Sequence, residues 1–339
     1  MAGRTVTVLA SHREPSATTN PYITLLVRAL RATPGVELVP FSTRRALLGS
    51  YDVVHLHWPE VLMDGRRRAG RAARELVTLL LLLRLTLTRT PVVRTVHNVG
   101  LPQDSTRVQR LLLRWFDRLT RHAVVLNEHT PVPAGATATL VPHGHYRDWY
   151  GRPTREPVPG RLQYVGLVRR YKGVEALVRA FTETTDPSLT LGVAGRPSSD
   201  DLVAEIEAAA AGDPRISTHL AFLGDAELVE AVSAAELVVL PYRFMHNSGS
   251  VLAALSLDRP VLVPDNEVNR LLAAETGPGW VHTFEGTLTG AALERALRAA
   301  REPRAAAPDL SGREWAHAGA AHARVYRRAV GTPASPGTR

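Results

Sequence analysis

Short aliphatic and β-branched runs alternate along the whole chain with stretches whose apolar positions recur every three or four residues. That is the pattern of buried parallel strands covered by amphipathic helices, and it predicts an α/β fold. In the first half the strand-like runs fall at Thr5–Ala10, Val36–Pro40, Val53–His57, Val92–Val96, Ala123–Leu126 and Thr139–Val141, with helices beginning near Pro21, Arg66 and Thr106. In the second half they fall at Leu162–Val165, Leu189–Ala194, Ile216–Leu220, Leu237–Leu240, Val261–Val263 and Trp280–Phe284, with helices near Val174, Asp201, Ala226, Gly249, Val268 and Thr289. Asn20 is placed to cap the first helix, because Pro21 at its first position loses no needed hydrogen bond.

The Pro- and Gly-dense stretch at 150–161, "YGRPTREPVPGR", interrupts the alternation and reads as a linker. It divides the chain into an N-terminal Rossmann-like domain (1–149) and a C-terminal one (162–312), followed by a helix over 313–330 and a disordered tail at 331–339. Two such halves predict a ligand site in the cleft between them, at the carboxyl ends of both sheets.

Composition changes this picture in three places. No apolar run approaches the ~20 residues of a membrane span, no signal peptide is visible, and there are no cysteines, which together predict a cytoplasmic protein without disulfides or thiolate metal sites. Residues 1–150 carry 20 arginines, no lysine and 10 acidic residues, a net of +10, against 21 basic and 22 acidic residues in the remainder. This field suits an anionic partner, either a phosphorylated acceptor or an anionic membrane surface, or is a solvated basic face. Arg66, Arg67, Arg68, Arg71 and Arg74 precede a Leu-rich helix and suit the membrane reading. Nucleic acid is not expected, since no aromatic-basic surface motif accompanies the charge. Finally, Lys172 is the only lysine among 41 basic residues.

Polar residues gather where the strands end. His55, His57, Trp58 and Glu60 lie in "HLHWPE", His97 and Asn98 in "RTVHNVG", and His143 and His145 in "VPHGHY". One histidine at a strand end is usually structural; five at analogous positions shift the weight of the group toward chemistry. No HxxxH or HExxH spacing is present on a helix, so no metal is expected. In "GLVRRYKG", Arg169, Arg170 and Lys172 follow a strand and precede a helix, the arrangement of a diphosphate clamp. In "PYRFMHNSGSVLAALSLD", Asn247 is read as the N-cap and Ser248, Gly249 and Ser250 as a first turn whose free N–H groups meet an anion. There is no GxxxxGK[ST], no GxGxxG after the first strand and no GxSxG, which argues against a P-loop ATPase, a dinucleotide oxidoreductase and a serine hydrolase.

"YVGLVRRYKGVEALVRAF", "LTLGVAGRP", "HLAFLGDAELVEAVSAAELVVLPYR" and "SGSVLAALSLDRPVLVP", in this order and spacing, resemble the second domain of GT-B fold glycosyltransferases, the large family that includes bacterial mannosyl- and glucosyltransferases. "DVVHLHWPE", "VVRTVHNVG" and "LVPHGHY" resemble its first domain and crossing. The resemblance implies two Rossmann-like domains facing across a cleft, the last helix returning to the first domain, and metal-independent transfer of a mannose- or glucose-type sugar. The donor is then a nucleoside diphosphate sugar, no cofactor is needed, and the acceptor is a saccharide or lipid-linked hydroxyl in polysaccharide biosynthesis.

Carried over by position, Lys172 corresponds to the lysine on the donor diphosphate, Gly195, Phe222 and Leu223 to the nucleotide contacts, and His97 to the histidine near the sugar. The arginine usual five residues before the lysine falls on Leu167, leaving Arg169 or Arg170 to substitute. The two glutamates of retaining members fall on Met245 and Ala253, so the stereochemistry is open. If the enzyme inverts, His97 and Glu60 are the candidate bases. Asn20, Tyr22, His57, Trp58, Asn98 and His143 are the candidate sugar and acceptor contacts, Tyr22 and Trp58 by stacking. The alternatives are a nucleotide-sugar epimerase and a non-catalytic GT-B partner, which the missing glutamates would suit.

Overall fold

A computed structural model describes residues 4–65, 67–98, 100 and 105–331. Arg66 of the basic cluster and tail residues 332–339 lie outside the described residues. The chain forms two compact units, Met1–Gly144 with Arg313–Arg339, and His145–Gly312. Each is built on a six-stranded parallel sheet.

In the first unit the strands are β1 (Val6–Ala10), β2 (Val36–Val39), β3 (Val53–His57), β4 (Val92–Val96), β5 (Thr120–Val125) and β6 (Thr137–Leu140), in spatial order β2-β1-β3-β4-β5-β6. Helices α1 (Pro21–Ala32), α2 (Thr43–Leu48), α3 (Arg68–Thr88) and α4 (Arg107–Leu119) connect them. Asn20 does cap α1, its side chain accepting from Tyr22 N at 2.9 Å. Thr106 and Gln109 form a capping box on α4. β5 starts earlier than the apolar pattern suggests, because Thr120 ends α4 by donating to Phe116 O and enters the strand directly. The core between α3, α4 and the sheet is Leu56, Leu81, Leu82, Leu85, Val92 and Phe116, all nearly inaccessible. The last helix of the chain packs on α1, where Gly319 lies so close that a Cβ would sit 2.5 Å from Thr33 Oγ1.

The second unit begins with α5 (Arg147–Tyr150). Residues 145–149 pack here rather than on the first unit, since Tyr146 N donates to Ser256 Oγ (2.8 Å) and Arg147 pairs with Asp258 (3.1 Å). Its strands are β7 (Arg161–Val165), β8 (Thr190–Ala194), β9 (Ile216–His219), β10 (Leu237–Val239), β11 (Val261–Pro264) and β12 (Val281–Phe284), ordered β12-β11-β10-β7-β8-β9. The helices are α6 (Val174–Thr182), α7 (Asp200–Ala210), α8 (Asp225–Ser233), α9 (Gly249–Ser256), α10 (Glu267–Thr276) and α11 (Gly290–Ala300); α12 (Trp315–Gly331) belongs to the first unit. In both sheets the connections reverse direction once, between β1 and β3 and between β7 and β10. Open parallel sheets bind ligands at the carboxyl ends of the strands flanking such a reversal.

Candidate functional site

In the second unit, the chain leaving β7 turns through Gly166 and a single 3-10 turn (Arg170–Lys172) into α6, and the chain leaving β10 runs through Tyr242 into α9. These two exits flank the reversal point. Lys172 is 9% exposed, its ammonium 4.8 Å above the Tyr242 ring. Ser250 Oγ shares a hydrogen bond with Tyr242 Oη (3.3 Å). A Cβ on Gly166 would sit 3.2 Å from Ser250 Oγ and 3.7 Å from Lys172 Nζ, so the ammonium, the hydroxyl and the helix start converge on one backbone point kept clear by glycine. Gly166 has φ +122°, which side-chain-bearing residues rarely adopt. Arg243 pins the exit from β10 through a 2.9 Å ion pair with Glu175, a nearly inaccessible carboxylate on α6.

The helix start differs in detail from expectation. Ser248 rather than Asn247 is the N-cap, its Oγ accepting from Val251 N, so α9 begins at Gly249. Ser250 lies in the first turn, where the helix N–H groups have no intrahelical acceptor. The two clamp arginines also separate. Arg170 makes a two-pronged contact with Glu205 of α7 (3.0 and 3.2 Å), which uses its guanidinium; Arg169 makes no ion pair among the described residues. Gly195 is required by packing, since its Cβ would lie 1.9 Å from Gly166 O. It holds β8's exit against the clamp turn. Leu223 lines a pocket of about 640 Å³ with Gln163, Ala194 and His219, while Phe222 is 68% exposed. Neither Lys172 nor Ser250 lines that pocket. Met245 and Ala253, where the resembling family carries carboxylates, are 7% and 4% exposed, and Met245 Sδ accepts from Asn269 Nδ2 (3.4 Å). Both positions are closed.

In the first unit the reversal point between β1 and β3 is filled by imidazoles and aromatic rings. Alternation along β3 puts His55 and His57 on one face, with ring centroids 4.2 Å apart. His57 Nδ1 meets His97 Nε2 at 3.0 Å, and His57 Nε2 has no partner among the described residues. Behind them, His55 bonds Thr95 Oγ1 (2.9 Å) and Tyr326 Oη of α12 (2.7 Å). His143 Nδ1 donates to Gly144 O (2.8 Å), which leaves the other ring nitrogen as its acceptor. Burial pushes the imidazoles of His55, His57 and His97 well below their ordinary pKa, and those of His143 and His322 down to about 4. The group is therefore neutral at pH 7.

Tyr22 corrects the stacking expectation. It is 3% exposed, wedged among His97 (5.1 Å between centroids), His143 (4.6 Å) and Trp315 of α12 (5.5 Å), with no open face for a sugar. Trp58 is half-buried and stacks flat on His97 at 3.8 Å, its backbone held in the left-handed region (φ +45°). Such strain in a non-glycine residue is costly and is found where the fold fixes a functional side chain. Trp58 leads into a 3-10 turn bearing Glu60, and Glu60, Arg94, His97 and Asn98 line one small pocket. Burial raises the Glu60 carboxyl above its ordinary pKa, with Arg94 opposing. Asn20 is spent on capping. Among the described residues, no group of three or more His, Asp or Glu is arranged to hold a metal ion. Sequence reasoning did not single out Gly166 and Tyr242, which the fold brings to Lys172 and Ser250, although both lie in stretches it quoted.

Comparison with known proteins gives a consistent answer. Residues 159–293 match the family model for glycosyl transferases group 1. A GDP-mannose:glycolipid 4-beta-D-mannosyltransferase from Xanthomonas campestris pv. campestris is 47% identical over 328 residues, covering 96% of this chain and 93% of the relative. Among solved structures, Anabaena HepE in complex with UDP and glucose superposes with a TM-score of 0.61 (12% identity, 95% of each chain). Sucrose-phosphate synthase from Thermosynechococcus elongatus does so with 0.63 (15% identity, 96% of this chain and 99% of the other). The fold is the GT-B fold.

Proposed function

The chain belongs to the group 1 glycosyl transferases and moves a sugar from a nucleoside diphosphate sugar to an acceptor hydroxyl; from that premise we propose that it transfers mannose from GDP-mannose, with inversion, to a lipid-linked saccharide at a membrane surface. Donor and acceptor classes are taken from the mannosyltransferase relatives. The observation that carries the chemistry is the convergence of Lys172 Nζ and Ser250 Oγ on Gly166. The bond from the anomeric carbon to the diphosphate breaks as the acceptor oxygen attacks, and the electron pair leaves on the diphosphate. In the second unit, Lys172, Arg169 and the N–H groups of α9 take up that charge without requiring a metal.

GDP-mannose carries its sugar α-linked, so the β linkage in the relatives' name requires inversion, and a single displacement needs a base but no protein nucleophile. Met245 and Ala253 suit that route, having no carboxylate to offer. In the first unit, Glu60 is the better base, because burial raises its basicity while it lowers that of His97. His97, fixed by His57 and Trp58, is a neutral hydrogen-bonding group beside it.

The test is transfer by the purified protein from GDP-mannose, UDP-glucose and GDP-glucose to lipid-linked oligosaccharide, with the anomeric configuration read by NMR. Turnover of GDP-mannose to a β product is expected. Preference for another donor overturns the donor assignment, and an α product overturns inversion.

A further inference from the structure

Helix α3 is apolar on two opposite faces. One face, with Thr78, Leu81, Leu82 and Leu85, is sealed into the core of the first unit. The opposite face carries Leu76, Leu80, Leu83 and Leu87, exposed by 56, 43, 41 and 82%. Their spacing of four, three and four residues aligns them in one stripe, which exposed Ala69, Ala72 and Ala73 extend toward the helix start. From Ala69 to Leu87 the stripe is about 27 Å long. One exposed leucine needs no explanation, but four in register form a contiguous patch of the kind that marks an interaction site.

The surroundings identify the occupant. Arg67, Arg68, Arg71 and Arg74 crowd the start of α3, whose only acidic residue is Glu75. The adjacent helix α4 shows a smaller stripe, Val108 and Leu111 (48 and 63% exposed), beside exposed Arg107, Arg114 and Arg118. Arg71 and Arg74 continue the face of Thr78 and Leu81, Arg74 donating to Asp64 O, whereas Arg68 flanks the stripe. Apolar side chains edged by Arg68 and by the arginines of α4 match an anionic bilayer interface, where leucines enter the acyl boundary and guanidinium groups rest among the headgroups. A second copy of the chain is a poorer occupant, because it would bring two copies of the same basic surface into one contact. Spanning is not at issue, since no described helix is long and apolar enough to cross a membrane. α3 also walls a pocket of about 330 Å³, lined by His12, Arg13, Trp58, Arg74 and Val77 among others. The same helix thus borders both the outer stripe and a pocket that reaches the Trp58 region.

We propose that the leucine stripe of α3, edged by Arg68 and the arginines of α4, is the surface on which the protein seats itself on an anionic membrane. The proposal extends the reading of a lipid-linked acceptor, and vesicle flotation without donor or acceptor reads it separately from transfer. The full chain should float with vesicles of equal phosphatidylcholine and phosphatidylglycerol, and much less with phosphatidylcholine alone or in high salt. The double variant Arg68→Glu/Arg114→Glu and the single variant Leu87→Glu both change solvent-facing positions, so folding is retained and checked by thermal melting. Each should lower partitioning by more than about tenfold while the chain remains monomeric in light scattering. Undiminished flotation of both variants overturns the proposal. So does a wild-type dimer that Leu87→Glu converts to monomer, because the stripe would then be a protein interface.

Discussion

Replacing Lys172 with Met separates the clamp chemistry from the stability of the fold. The substitution keeps most of a long apolar stem and removes the charge. In the free protein that charge has no carboxylate within ion-pair distance among the described residues, only the Tyr242 face at 4.8 Å. That contact is worth roughly 0.5–2 kcal/mol, offset by the cost of holding an ammonium in a site 9% exposed. Melting should therefore be unchanged or slightly raised. With donor bound, a unit charge about 4 Å from a phosphate oxygen at an effective dielectric near 20 contributes about 4 kcal/mol. The part realised only as the diphosphate departs should cost about 10²–10³ in turnover. Single-turnover rates, calorimetric GDP affinity and thermal melting measure the three effects. A rate loss below about tenfold, or one matched by a collapse of the melting temperature, would refute a clamp built on Lys172.

Three further outcomes follow from the same geometry. Glu60→Gln should lower kcat by about 10²–10⁴ with KM little changed, and His97→Asn should cost less; the reverse ranking in steady-state kinetics would make His97 the base. Acid should destabilise the first unit. The imidazoles of His143 and His322 fall to about 4 in the fold, so between that value and 6.5 the unfolded chain binds more protons, and stability present at neutral pH is lost as pH falls. By pH 5.5 the loss is about 1 kcal/mol for each, and His322→Asn should remove its share from the difference between melts at pH 7 and pH 5.5. Gly195→Ala should destabilise by several kcal/mol, since its Cβ would overlap Gly166 O and its φ is +149°; a soluble variant with wild-type melting would show that the two turns are not in close contact.

What was legible in the sequence is what depends on local spacing. All twelve strands followed from apolar runs, and the start of α1 from Asn20 and Pro21, because period and capping are properties of neighbours in the chain. Lys172 stood out through composition, and Ser250 through its place at a helix start. What stayed hidden depends on strand order. Tyr242 reaches Lys172 because β10 lies beside β7, a pairing between strands more than 70 residues apart. Tyr22 read as a stacking platform because nothing near residue 22 shows that Trp315, near the other end of the chain, folds back to cover it.

The closed positions at Met245 and Ala253 connect these observations to stereochemistry. The sequence shows that carboxylates are missing there, as a degenerate partner predicts, but also that Lys172 and His97 are retained, as it does not. In the fold Ala253 is packed to 4% exposure and Met245 to 7%, its sulfur accepting a hydrogen bond from Asn269, so neither position is an open gap. Meanwhile Ser250, Tyr242 and Lys172 are gathered around Gly166, where even a Cβ would lie 3.2 Å from Ser250 Oγ. On the inverting route we propose, the first unit supplies the base, Glu60 after β3, and the second needs no carboxylate after β10, which is where Met245 and Ala253 offer none.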